Sequence, residues 1–125
     1  MIRKLILLAL AGALGTLARY GLAGFVQRLN GVSFPWGTLA VNLTGCFLAG
    51  VLWTVFEDRW AVSAETRTVV LLGFMGAFTT FSALILETGA LVRSAEWTYA
   101  AANMAMHNGL GFLALWVGAA IGRMA

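Results

Sequence analysis

The chain has 125 residues, of which 61% are hydrophobic and 10% are charged, and its mean hydropathy is +0.88. Soluble domains are roughly 45–50% apolar and about 25% charged, so this composition excludes a water-soluble globular domain. The net charge of +3 comes from a few residues scattered along the chain, and without a basic stripe to follow a phosphate backbone we expect no nucleic-acid partner.

Four segments are apolar enough to cross a lipid bilayer, whose hydrocarbon core of about 30 Å takes roughly 20 helical residues. Each contains at most one charged side chain, and they cover approximately residues 5–26, 36–56, 68–92 and 97–122. Strands in lipid must close into a barrel, for which four segments are too few. We therefore predict an all-α integral membrane protein, a single four-helix membrane domain over residues 1–125.

Basic residues are divided unevenly, but not decisively, between the two sides of the membrane. With four spans, both termini and the middle loop share one side. Five basic residues lie on that side: Arg3, Lys4, Arg59, Arg67 and Arg123. Two lie on the opposite side: Arg28 and Arg93. So weak a bias permits insertion in both orientations. Because glycine-rich spans also favour close helix packing, we expect oligomerisation, for which an antiparallel homodimer is possible.

Polar side chains occur at membrane depth in the second and third spans. Thr38 and Asn42 are four residues apart and share one helix face, either for an interhelical hydrogen bond or for a functional contact. In the third span, Gly73 and Gly76 are followed by Thr79 and Thr80, a poor sequence for an uninterrupted helix. A break near the bilayer midplane and an unbroken helix with back-bonded threonines are equally compatible with it.

The fourth span carries a polar stripe of Asn103, His107 and Gly111, in which a neutral, hydrogen-bonding His107 is the preferred interpretation, since a charged imidazolium is costly at that depth. Arg19 and Glu87 lie near the ends of their spans, where they either reach the interface or form a vestibule charge or an ion pair. No nucleophile is placed with a base, so the sequence predicts no enzymatic activity.

Three motifs resemble the Fluc family of bacterial fluoride channels, and the likeness covers nearly the full chain. They are GALGTLARY at residues 12–20, GTLAVNLTG at residues 37–45 and GFMGAFTTFS at residues 73–82, with Glu87 following. The resemblance implies an antiparallel, dual-topology homodimer with two pores in the bacterial inner membrane. It also implies a break in helix 3 and a structural Na⁺ at the dimer centre, bound by the main-chain carbonyls of Gly76 and Thr79 from each subunit.

For the fluoride pore, the resemblance points to Asn42, Phe81, Ser82 and Thr38, with Arg19 and Glu87 as vestibule charges. An aromatic ring edge carries positive quadrupole density, so an anion can lie beside Phe81 without a trapping cation. Weak binding at several sites allows the ion to leave as well as enter.

The chain departs from the family pattern at two places. Leu84 stands where a second phenylalanine is usual, which changes the expected pair of rings. His107 stands where serine is common, one turn after Asn103. We include Asn103 and His107 among the pore residues, and we expect a histidine here to donate to fluoride and to make the flux depend on pH.

The function that the resemblance implies is passive fluoride export without a cofactor beyond the structural Na⁺, with fluoride, the lipid bilayer and a second copy of the chain as partners. One alternative is a proton-coupled small multidrug or cation transporter, which normally needs a carboxylate in the first span; residues 5–26 have none. Another is a non-conducting accessory subunit, which would leave the motif at residues 73–82 without a purpose.

Overall fold

The computed structural model describes all 125 residues and is entirely helical. Four apolar helical spans are long enough to cross a membrane, which confirms the predicted fold class of a four-span helical membrane protein. The α-helices are α1 (Ile2–Asn30), α2 (Trp36–Thr54), α3 (Ala64–Thr68), α4 (Gly76–Phe78), α5 (Phe81–Arg93) and α6 (Trp97–Met124), with π-helical turns at Val55–Arg59 and Val69–Met75.

The helical spans extend beyond the apolar segments identified in the sequence. They cover Ile2–Asn30, Trp36–Arg59, Ala64–Arg93 and Trp97–Met124. Hydropathy identifies only the part of a helix that lies in hydrocarbon, whereas charged residues at the ends can remain helical while they lie in the interface. The extra turns therefore carry basic residues such as Arg3, Arg28 and Arg123.

The side chain of Gln27 connects the end of α1 to the start of α2. Gln27, near the end of α1, donates from Nε2 to the carbonyls of Gly31 and Phe34 and accepts from the N–H of Gly37, 3.0 Å away. Gly31 has φ +83°, a left-handed conformation that favours glycine. One amide side chain thus provides hydrogen-bond partners for three backbone groups of the turn between α1 and α2.

The third span changes its backbone conformation in the middle. After the short helix α4, Thr79 has φ −85° and ψ 157°, and Thr80 has φ −149° and ψ 112°; both are extended. The hydroxyl of Thr80 then accepts from the N–H of Ala83 at 3.2 Å and caps the start of α5 at Phe81. A threonine is well suited to this position because its side-chain oxygen replaces a missing helical carbonyl.

Helix α2 packs on α6 through glycines. An added Cβ at Gly118 would lie 2.9 Å from the carbonyl carbon of Phe47, and one at Gly50 would lie 2.8 Å from the amide nitrogen of Ala119. Only 21 of the 125 residues are buried, so close backbone contact, rather than a large side-chain core, holds the helices together.

A substitution at Gly118 tests this packing. We expect Gly118→Ala to lower the free energy of unfolding by about 1–3 kcal/mol, the usual cost of overpacking, because the neighbouring atoms at Phe47 belong to the backbone and cannot rotate away. Thermal unfolding of the purified protein in detergent measures the change. Gly109→Ala in the same helix is the matched control, since an added Cβ there meets no atom within 4 Å. Equal unfolding temperatures for the two variants would contradict the assignment.

Candidate functional site

The centre of the site is a pair of hydrogen bonds between α2 and the extended part of the third span. Asn42 donates from Nδ2 to the carbonyl of Thr80 at 2.9 Å, and its Oδ1 accepts from the N–H of Thr80 at 2.8 Å. An asparagine amide has one acceptor and two donors, so it can replace both partners that a peptide group would find in a helix. One N–H of Asn42 is left over for another acceptor.

Two backbone carbonyls lose their usual helical partners in the same place. In a continuous helix, the N–H of Thr80 would bond the carbonyl of Gly76 and the N–H of Ala83 would bond that of Thr79. Here these groups donate to Asn42 Oδ1 and Thr80 Oγ1 instead. The displaced carbonyls belong to Gly76 and Thr79, the two residues that the family resemblance implies as sodium ligands.

A cavity of about 430 Å³ opens beside this pair and brings together five of the residues that the sequence singled out. They are Asn42, Gly76, Thr79, Phe81 and His107. The cavity also contacts Leu84, which is 5% exposed, whereas Phe81 is 73% exposed. The aromatic ring of Phe81 therefore lies at the surface of the chain, and the smaller Leu84 is packed inside.

A second cavity, of about 360 Å³, lies between α1, α2 and the third span. Arg19, Thr38 and Thr80 contribute to its wall. The hydroxyl of Thr38 donates to Oε1 of Glu87 at 2.7 Å, so Thr38 cannot donate to another acceptor while this bond is made. Arg19 forms no ion pair with Glu87, because the structure contains a single salt bridge, between Arg3 and Glu65.

Asn103 and His107 lie one turn apart on α6 and face α5. Asn103 is fully buried and donates from Nδ2 to the hydroxyl of Thr88 at 2.9 Å. Nδ1 of His107 lies 3.0 Å from the backbone carbonyl of Asn103. Three buried side-chain atoms have no hydrogen-bond partner, and all belong to these two helices: Glu87 Oε2, Asn103 Oδ1 and His107 Nε2.

Ser82 is exposed at the start of α5, with its Oγ 3.3 Å from that of Thr80. The structure therefore distributes the predicted residues over neighbouring places rather than into one pocket: the 430 Å³ cavity, the 360 Å³ cavity, the surface beside Phe81 and the contact between α5 and α6.

Two residues that the sequence reasoning missed support the site. Thr88 joins α5 to α6, and its own hydroxyl donates to the carbonyl of Leu84 at 2.7 Å. Cys46 contacts the cavity that His107 also lines. Thr88 directly follows Glu87 within an apolar span, so polarity at membrane depth was the signal that could have found it. Cys46 carries no such signal, because a single thiol in an apolar run is typical of ordinary packing.

The side chains around these cavities are mainly amides, hydroxyls, one imidazole and apolar groups, and no group of three metal-ligating residues occurs. Donors and acceptors at membrane depth without a reactive centre suit the passage of a small polar species. Fold and site together define the class: a small, multi-pass membrane protein with polar cavities between its helices.

The comparisons with known proteins identify the family. The chain matches the model of the CrcB-like proteins, described as "CrcB-like protein, Camphor Resistance (CrcB)", over residues 6–119. It therefore belongs to the CrcB family. This is the family, also called Fluc, that the three sequence motifs resemble.

Similar curated proteins carry the name fluoride-specific ion channel FluC. One from Desulforapulum autotrophicum is 66% identical over 99% of both chains. Another from Solidesulfovibrio magneticus is 49% identical and one from Nitrosococcus oceani is 48% identical, again over 99% of each chain. The likeness therefore includes all four spans.

Asn42 offers a direct test of the site's construction. We expect Asn42→Ala to speed hydrogen exchange at the Thr80 amide and to lower the free energy of unfolding by about 1–3 kcal/mol, since it leaves the part-buried N–H and carbonyl of Thr80 without partners. Exchange measured by mass spectrometry on the peptide containing Thr80 checks this. Asn108→Ala is the control, because that side chain is exposed and bonds only within its own helix, to Met104. Unchanged exchange at Thr80 would show that the paired bonds do not hold the extended residues.

Proposed function

We propose that this protein is a fluoride-selective ion channel of the bacterial inner membrane that lowers cytoplasmic fluoride by passive export. The observation that carries the proposal is the 66% identity, over nearly the full length, to a protein named a fluoride-specific ion channel. Fluoride is a small, strongly hydrated anion, so a pore must replace its water with donors. Those donors must hold it weakly enough to let it leave.

Several groups around the extended residues can serve as such donors. Asn42 keeps one amide N–H after bonding Thr80. The N-terminus of α5, at Phe81 and Ser82, presents helical N–H groups and a positive partial charge. The ring edge of Phe81 adds positive quadrupole density. All of these are neutral, and a neutral donor attracts fluoride without the deep well of a fixed cation.

Arg19 and Glu87 act at the ends of this path. Arg19 is half-buried without an ion-pair partner in the wall of the 360 Å³ cavity, so its charge can raise the local fluoride concentration. Glu87 accepts a hydrogen bond from the hydroxyl of Thr38. Thr38 is therefore assigned an indirect role, in which release of this bond frees its hydroxyl for the ion.

The functional unit is an antiparallel, dual-topology homodimer. Phe81 is 73% exposed in one protomer, and a second copy would enclose it. Gly76 and Thr79, whose carbonyls lack their helical partners, line the same cavity as Phe81. Four such oxygens, two from each protomer, match the hard, oxygen-rich ligand set that suits a small hard cation, so we assign a structural Na⁺ to the break in the third span, between α4 and α5.

Ion flux from liposomes tests the function. With the purified protein reconstituted, we expect fluoride efflux that greatly exceeds chloride efflux and needs no proton gradient, as a fluoride-selective electrode and a chloride electrode would record. Phe81→Ile should reduce fluoride efflux by at least about tenfold, because the positive ring edge is lost.

Phe25→Ile is the matched control, since this phenylalanine is 60% exposed on α1 and lines none of the cavities. No fluoride efflux from the unaltered protein would refute the channel, and equal losses in the two variants would refute the role of Phe81.

Sodium removal tests the proposed cation. We expect the purified dimer to unfold at a lower temperature when Na⁺ is replaced by N-methylglucamine at equal ionic strength, because a ligand of the native state stabilises it by mass action. Asn42→Ala should show a smaller sodium effect, since Asn42 then no longer holds the extended residues that leave the carbonyls of Gly76 and Thr79 without helical partners. The same unfolding temperature with and without Na⁺ would exclude a structural ion.

A further inference from the structure

His107 is the only histidine in the chain and makes one hydrogen bond, within its own helix. Nδ1 lies 3.0 Å from the carbonyl oxygen of Asn103. Nε2 is buried and has no partner. The ring contributes to the wall of the 430 Å³ cavity together with Asn42, Phe81 and Leu84.

The contact with Asn103 fixes which ring nitrogen carries the proton. A carbonyl oxygen only accepts hydrogen bonds, so Nδ1 must be the donor. In neutral imidazole one nitrogen carries hydrogen and the other has a lone pair. Neutral His107 therefore has an unpaired acceptor, at Nε2, on the side of the ring that does not bond its own helix.

An acceptor at Nε2 is the wrong group for an anion, because its lone pair repels fluoride. Addition of a proton from solvent to this lone pair gives the imidazolium ion, in which Nε2–H becomes a donor. Hydrogen bonds between charged groups are stronger than those between neutral ones. With Nδ1 bonded to Asn103, only the protonated ring has a further N–H, at Nε2, for an anion.

We infer that His107 binds fluoride only as the imidazolium ion, so that fluoride and a proton bind to the 430 Å³ cavity together. The inference rests on the proposed fluoride channel and adds a specific ligand and its protonation state. A serine hydroxyl at this position could donate a hydrogen bond to fluoride at every pH. In this chain the residue is His107, whose Nε2 can donate only after protonation.

The charges around His107 allow this change of state. The titratable groups that face it are Cys46 from α2 and Glu87 from α5, and no arginine or lysine lines the cavity. Glu87 is near enough for its charge to interact with that of the imidazolium. The third span contributes only uncharged groups there, among them Gly76 and Thr79.

Thermodynamic linkage gives the measurable consequence. If protonation of His107 strengthens fluoride binding, then fluoride must strengthen proton binding to His107 by the same factor. A charge-assisted hydrogen bond of ordinary strength corresponds to about a tenfold factor. Fluoride should therefore raise the doubly protonated fraction of His107 at a fixed pH, and chloride should not.

Nitrogen-15 NMR of the reconstituted protein tests this without relying on ion flux, since one histidine gives one imidazole spectrum. At neutral pH without fluoride we expect protonated Nδ1 and unprotonated Nε2. Adding fluoride at mildly acidic pH should increase the imidazolium signal, and an equal concentration of chloride should leave it unchanged. A neutral form protonated at Nε2 would overturn the inference. So would an imidazolium signal whose intensity does not change when fluoride is added.

A flux experiment provides the second measurement. On acidification from about pH 7.5 to about pH 5.5, the fluoride concentration for half-maximal flux should fall about tenfold. His107→Gln keeps a neutral side-chain donor and should abolish that dependence. Protein-free liposomes correct for diffusion of hydrogen fluoride through lipid.

The outcomes separate the two proposals. Fluoride flux with the same pH dependence in His107→Gln as in the unaltered protein would overturn the role of His107 and leave the channel intact. A complete absence of fluoride flux from the unaltered protein would refute the channel, and the NMR titration would then decide whether the cavity binds fluoride at all.

Discussion

The paired hydrogen bonds between Asn42 and Thr80 are the interaction on which the rest of the site depends. Backbone groups in a membrane must be satisfied within the protein, so two extended residues in the third span need substitutes for their helical partners. Asn42 supplies an acceptor for the N–H of Thr80 and a donor for its carbonyl. The carbonyl of Gly76 is left without its helical partner as a direct result, and that of Thr79 loses its partner to the Thr80 hydroxyl. The helix start at Phe81 lines the same cavity.

This arrangement also explains the small size and low charge of the chain. Glycines at positions such as 50 and 118 bring α2 and α6 into backbone contact, so the protomer needs few large side chains inside. Backbone groups and one amide then provide the polar surface that other proteins build from charged residues. The site lies at the surface of the chain, with Phe81 exposed, so the proposed homodimer would enclose it without a longer chain.

Much of the fold followed from the sequence because lipid restricts the choice. Length and apolarity were enough to place four helices, and helix periodicity put Thr38 and Asn42 on one face. Periodicity could not distinguish a continuous third span from an interrupted one, because the difference depends on whether Asn42 reaches Thr80 across two helices. Nor could it show that Thr38 bonds Glu87 or that Thr88 bonds Asn103. Those contacts depend on tertiary packing.

His107 shows how strongly one short contact can change the interpretation of a residue. As a residue type, histidine can donate, accept or carry charge, and its place on a polar stripe does not decide among these. A carbonyl at 3.0 Å from Nδ1 does decide, because it assigns the proton to that nitrogen. The remaining nitrogen then has opposite effects on an anion in its two protonation states. In the proposed fluoride pathway, which is otherwise lined by neutral donors, the only histidine in the chain would be the one donor that depends on pH.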